Sequence, residues 1–271
     1  DSSILYVGGN FTNIGGETRN RIAAIDTGTG LVTSFDANAS STVNALALSS
    51  DNTILYVGGD FTSIGGQSRS YLAAISTSTG LANDFNPSPN IVVRKIELSS
   101  DNSILYAAGL FSSIGGQSRS RLAAVSTSTG LANDFNPSPN NSINDIALSP
   151  NNSILYIGGN FTSIGGQTRN YVAALNASDG TASAFNPSVN TNVSQVVLST
   201  NGSILYIGGD FTNVNANNRN YLAALNTSDS SLTTWDPSSD FFVNFLAKGN
   251  NEIYISGLVI SSINVKIRSC C

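Results

Sequence analysis

The chain contains no histidine and no methionine, and its only two cysteines are its last residues, Cys270 and Cys271. The missing histidine removes the usual general base and the commonest metal ligand together. Charge is also scarce, with 12 Lys plus Arg against 17 Asp plus Glu in 271 residues and a net charge of -5. So few cations exclude the basic patch that a nucleic-acid partner requires. No apolar run approaches the length of about 20 residues that a spanning helix needs, so no membrane insertion is expected. The absence of an initiator methionine and of a leader-like segment fits a processed or partial chain. What the chain has in plenty is 34 Asn, 63 Ser plus Thr and 25 Gly. That composition reads as turns and a neutral polar surface.

Internal repetition dominates the sequence, and it takes precedence over local pattern. Tyr6, Tyr56, Tyr106, Tyr156 and Tyr206 recur every 50 residues without insertion or deletion. Phe11, Phe61, Phe111, Phe161 and Phe211 keep the same step, as do Arg19, Arg69, Arg119, Arg169 and Arg219. Phe35, Phe85, Phe135, Phe185 and Trp235 complete the unit. Residues 1–249 hold five such copies; residues 250–271 form a degenerate sixth copy or a C-terminal arm, with Tyr254 falling two residues early. The decapeptide LANDFNPSPN is identical in copies two and three, a mark of recent duplication.

Within a copy the pattern is β. Val43 to Ser49 and Thr53 to Gly58 are short apolar runs separated by a turn, and Ile54-Leu55-Tyr56-Val57 in the second is apolar on both faces, as a strand between neighbouring blades must be. In the fifth copy that turn is Asn201-Gly202, the strongest short hairpin signal, so the two runs are expected to pair antiparallel. A third run spans Tyr71 to Ser76. A fourth, Leu81 to Phe85, stops at Pro87 and Pro89, which cannot donate to a ladder. The pairs Gly58-Gly59 and Gly65-Gly66 read as loop positions needing positive φ or close backbone approach. Four strands per copy predict an all-β fold, a β-propeller of four-stranded blades, with a parallel β-helix as the lesser alternative. Six blades are favoured, the last completed through Ile267. The alternative is five, with Val243 to Ala247 closing the first blade.

The combined pattern LYVGGxFTxIGGxxRNxxAAL…TG…FNPxxN resembles the delta-60 propeller repeat of secreted and surface proteins. Similar runs occur in the propeller part of fungal cortical marker proteins. The likeness covers residues 1 to 249, departing at Ala107-Ala108, Leu110 and Asn215-Ala216. It implies a propeller and an extracytoplasmic setting, and it implies no reaction, because the repeat is not a catalytic signature.

Candidate sites divide into repeated and unrepeated residues. The five repeated arginines could ring a channel as ligand cations. The stronger reading is structural, with each forking onto backbone carbonyls or the Asp or Asn after the aromatic. The row Asn10, Asp60, Leu110, Asn160, Asp210 is broken by leucine and lacks the spacing of a calcium loop. Glu17, Glu97 and Glu252 break the symmetry and are the place to look for paired carboxylates. Serine activation would depend on Lys95, Lys248 or Lys266, since no histidine exists. Non-enzymatic action with no cofactor and no metal is therefore expected.

Nine Asn-x-Ser/Thr sequons occur, at Asn10, Asn38, Asn140, Asn151, Asn160, Asn176, Asn192, Asn201 and Asn226. Chance alone gives about eight, so the count proves nothing and only a secretory route gives it meaning. Asn140, Asn151 and Asn201 fall in expected turns and come first. Cys270 and Cys271 are adjacent and rarely bridge one another, so an intermolecular disulfide or a longer cysteine-rich chain is expected. The reading is a structural or interaction module, extracellular or on a cell surface, self-associating or binding other surface proteins, as a fibre subunit does. The alternative is an adhesin-like propeller binding glycans or a protein. Exposure of Trp235, Phe241 or Phe242 at a concave site would favour that alternative.

Overall fold

A computed structural model describes residues 3–249, 252–257 and 266–268. The chain divides into two compact units, Asp1–Asn133 and Asp134–Cys271. Every strand pair in both is antiparallel.

The second copy serves as the pattern. Its inner strand Val43–Leu48 pairs with the middle strand Ile54–Gly59, which pairs in turn with the outer strand Leu72–Ser76. The middle strand is buried on both faces because alternate side chains enter different layers. Leu55 and Val57 pack with Ile22 and Ala24 of the preceding sheet. Tyr56 packs on the other side with Leu105 and Ala107 of the following one. Ala73 and Ala74 are fully buried, and their small size permits the close approach of neighbouring sheets. The inner strand carries a bulge between Val43 and Ala45, and the third, fourth and fifth copies repeat it at the same place.

In the first unit, a two-stranded sheet of Ile4–Gly8 and Ile22–Asp26 precedes this sheet, and Val93–Leu98, Ile104–Gly109 and Leu122–Ser126 follow it. The second unit holds three sheets of three strands, beginning with Ile143–Leu148, Val193–Leu198 and Val243–Lys248. Apolar clusters join successive sheets within each unit. This is a propeller-like repeat fold, with sheets recurring at the 50-residue period. The run at Val243 pairs with Glu252–Gly257, which pairs with Lys266–Arg268, making a three-stranded sheet within the second unit.

Two sequence expectations change. The fourth run is not a strand: Ala82 makes a single bridge to Ile75, and the pairing ends there. The Arg69 guanidinium occupies the Asn83 carbonyl, and the Asn83 side chain accepts from the Phe85 amide, which turns the chain inward ahead of the prolines. A sheet here therefore has three strands and one bridge, not four strands. Gly58 and Gly59 also lie within the middle strand and not in a loop. Gly65 and Gly66 form the turn of a separate small hairpin, Ser63–Ile64 with Gln67–Ser68, at φ 58° and 75°. Positive φ at both central residues is what a tight two-residue hairpin requires.

Candidate functional site

The repeated residues gather at seams within a copy and between one copy and the next. Each arginine follows the small hairpin and reaches carbonyls of its own copy. Arg19 donates from Nε to Phe35 O at 3.1 Å, from Nη1 to Thr18 O at 2.8 Å and from Nη2 to Thr33 O at 2.7 Å. Arg69, Arg119 and Arg169 each make two such bonds, with Nη2 donating to Asn83, Asn133 and Ser183 carbonyls at 2.6 Å. Their Nε atoms are buried without a hydrogen-bond partner among the described residues. Arg219 donates from Nη1 to Asn218 O at 2.9 Å and also pairs with Asp236, the acidic residue after the aromatic, at 3.2 Å.

The repeated tyrosine closes a second seam. Tyr56 meets Phe85 edge-to-face at a centroid distance of 5.5 Å, and Tyr6–Phe35, Tyr156–Phe185 and Tyr206–Trp235 repeat the arrangement. Burial pushes the phenols of Tyr6, Tyr56 and Tyr156 up, and hydrogen bonding with the side chains of Thr77, Thr127 and Thr227 of the next copy acts in the opposite sense. A third seam was not legible as a site. Asn90 donates to Ser112 Oγ at 2.9 Å and accepts from the Ser112 and Ser113 amides. Asn140 and Asn190 do the same to the following copy. Its only sequence signal was recurrence at the 50-residue step.

Beside these seams runs a groove of 450 Å³, lined by Asn86, Pro87, Ser88, Gly115, Gln117 and Leu131 among others. It holds amides, hydroxyls and one exposed leucine, and no charged side chain.

Residues 125–262, just over half the chain, match the Rax2 C-terminal beta propeller domain. The chain belongs to that family. Residues 3–25 and 49–73 of this Rax2-family chain also match a beta-propeller domain of unknown function, DUF5122. No curated protein matches it.

The remaining candidates of the Rax2-family chain are scattered. Glu17 lies on Glu17–Thr18 and faces Arg19 at 3.9 Å, Glu97 lies on Val93–Leu98, and Glu252 accepts from the Tyr254 hydroxyl at 3.1 Å. They sit on three different strand pairs. Lys95 is half-buried on an inner strand, while Lys248 ends one and is exposed. Asn10, Asp60, Leu110, Asn160 and Asp210 are all exposed. Among the described residues no group of acidic, histidine or cysteine side chains is placed to hold a metal ion. No helix there is long and apolar enough to cross a membrane. Trp235 is half-buried against Tyr206, and Phe241 packs against Phe242 with ring centroids 4.6 Å apart and planes tilted by 41°, both half-buried. Cys270 and Cys271 lie outside the described residues.

Proposed function

We propose that this Rax2-family chain is a non-enzymatic extracellular or cell-surface module. It is a rigid repeat scaffold that associates with copies of itself or with other surface proteins, as a subunit of a fibre or appendage does. The observation that carries this reading is the use of the repeated polar residues within the repeat itself. Arginines are bound to carbonyls, tyrosines to aromatic rings and threonines, and Asn90, Asn140 and Asn190 to the next hairpin. A cation ring for a ligand is therefore the weaker reading of Arg19, Arg69, Arg119, Arg169 and Arg219. The unrepeated carboxylates, on separate strand pairs, give no support to acid–base hydrolysis.

The family match supports the surface setting, and the two DUF5122 matches, which fall at equivalent places in the first and second copies, support a delta-60-type repeat. We read the six sheets as six blades, with residues 1–249 as five full copies and 250–271 as the remainder of the sixth. The glycan-binding alternative loses support, because Trp235, Phe241 and Phe242 are packed against other rings.

Negative-stain microscopy of the full chain, with gel analysis in and out of reductant, tests the proposal. Ordered filaments or higher assemblies are expected. Discrete monomers that bind a sugar array would overturn it in favour of recognition. No size shift on reduction would remove Cys270 and Cys271 as cross-links.

A further inference from the structure

We propose that Asn151 and Asn201 carry N-linked glycans in the folded protein, an assignment that rests on the extracellular reading above. The turn between inner and middle strand is built alike in four copies, with Asp51, Asp101, Asn151 and Asn201 at the same position. One oxygen does the work. Asp51 Oδ1 accepts from Ser49 Oγ at 2.6 Å, Thr53 N at 3.1 Å and Thr53 Oγ1 at 2.9 Å. Asn151 Oδ1 accepts from Ser149 Oγ at 2.7 Å, Ser153 N at 3.1 Å and Ser153 Oγ at 2.7 Å. Asn201 Oδ1 takes the same three bonds from Ser199 and Ser203.

Aspartate in copies two and three establishes that the turn needs an acceptor oxygen and no donor. The amide nitrogens of Asn151 and Asn201 are thus surplus to the fold, and among the described residues they make no hydrogen bond. Both residues are exposed, and each begins an Asn-x-Ser sequence. At Asn140, Asn176 and Asn226, by contrast, Nδ2 donates to Thr162, Thr181 and Ser231 hydroxyls at 2.8, 2.7 and 2.8 Å. Asn160 and Asn192 are engaged in the same way, and the exposed Asn10 and Asn38 lie outside this turn, the Asn38 Oδ1 accepting instead from Asn20 Nδ2.

The modification is transfer from a lipid-diphosphate-linked oligosaccharide by the transferase of the secretory route. The Nδ2–C1 bond forms as the C1–O bond to the diphosphate breaks. The diphosphate leaves with the electron pair, and one Nδ2 proton passes to the transferase. Oδ1 is untouched, so all three bonds of the turn survive in the product.

The test is expression of the full chain in a eukaryotic cell behind an added secretion leader, followed by site-resolved glycopeptide mass spectrometry of the secreted pool. Glycan is expected at both residues. Asn151→Asp and Asn201→Asp should each remove one glycan, and in unglycosylated protein from bacteria neither should lower the melting temperature. Bare Asn151 and Asn201 in secreted, folded chain overturns the assignment, as does unfolding of the unglycosylated aspartate variants. A cytosolic location for the native chain would defeat the extracellular reading, while occupancy in the leader-driven chain would still support the acceptor assignment.

Discussion

Arg119 donates from Nη2 to the carbonyl of Asn133 at 2.6 Å, across 14 residues of chain. Nη1 meanwhile holds Ser118 O at 2.9 Å, so one guanidinium ties the small hairpin to the segment that would otherwise run on as a fourth strand. Charged donors on half-buried carbonyls are among the stronger hydrogen bonds. Removing them in Arg119→Ala should cost about 2 kcal/mol of folding free energy, read by urea unfolding. Arg119→Lys should recover only a minor part, because an ammonium cannot span both carbonyls in one plane. A stable, fully folded alanine variant would sink the structural account of the arginine.

The small hairpins offer a matched pair of substitutions. In the fifth copy Asn215 and Ala216 replace the glycines and adopt φ 51° and 61°. Asn215 is held by its Nδ2 bond to Ser230 O at 2.8 Å, while Ala216 is exposed and has a Cβ in the left-handed region. Ala216→Gly should therefore stabilise by about 0.5–1 kcal/mol. At the equivalent Gly166, φ is 77° and the space around a Cβ is open, so strain acts there without a clash. Gly166→Ala should destabilise by about 1 kcal/mol. Equal melting temperatures for wild type and both variants would contradict the strain argument.

Tyr56 and Thr127 join one copy to the next. Tyr56→Phe keeps the ring against Phe85 and loses the hydroxyl bond, so a loss of about 1 kcal/mol is expected. The phenol is raised by burial above its ordinary value, which makes the folded state the stronger proton binder in alkali. Stability from this group is complete below the unfolded pKa of about 10 and is lost as pH rises towards the folded value. The melting temperature of Tyr56→Phe should fall less steeply in alkali than that of wild type.

Acid acts through the hairpin tips. The Asp51 and Asp101 carboxyls lie below the usual carboxylate range, first because the hydroxyls of Ser49 and Ser99 donate to them, then through Thr53 and Ser103. A depressed pKa means stability that is present above the unfolded value of about 4 and lost as pH falls through the lower folded value. Thermal unfolding should be flat from neutrality to about pH 4 and weaken below it. Asp51→Asn, which copies Asn151, should lower the neutral melting temperature slightly and make the acid decline shallower. A steeper decline would reverse the assigned sign.

Much of the fold was legible because its signals are local. Asn201-Gly202 marked the hairpin between Val193–Leu198 and Ile204–Gly209, and residues such as Leu55, Tyr56 and Val57 marked a strand buried on both faces. Leu81 to Phe85 looked like a strand because apolar content and the prolines agreed. Its pairing was decided by an arginine 14 residues away, which a local pattern does not carry. The same limit applied to Asn140, whose sequence marked a turn and a sequon while its side chain serves the next copy.

The sequence alone determined the period, the strand pairs, the both-face burial and the lack of histidine chemistry, since each depends on residue type and spacing along the chain. Tertiary structure decided which polar groups are engaged and which are left over. Asn140 and Asn151 are both sequon asparagines, and nothing in their immediate neighbours separates them. Only the approach of Thr162 to one amide nitrogen, and the absence of a partner among the described residues at the other, does so, because hydrogen bonding depends on distance in space.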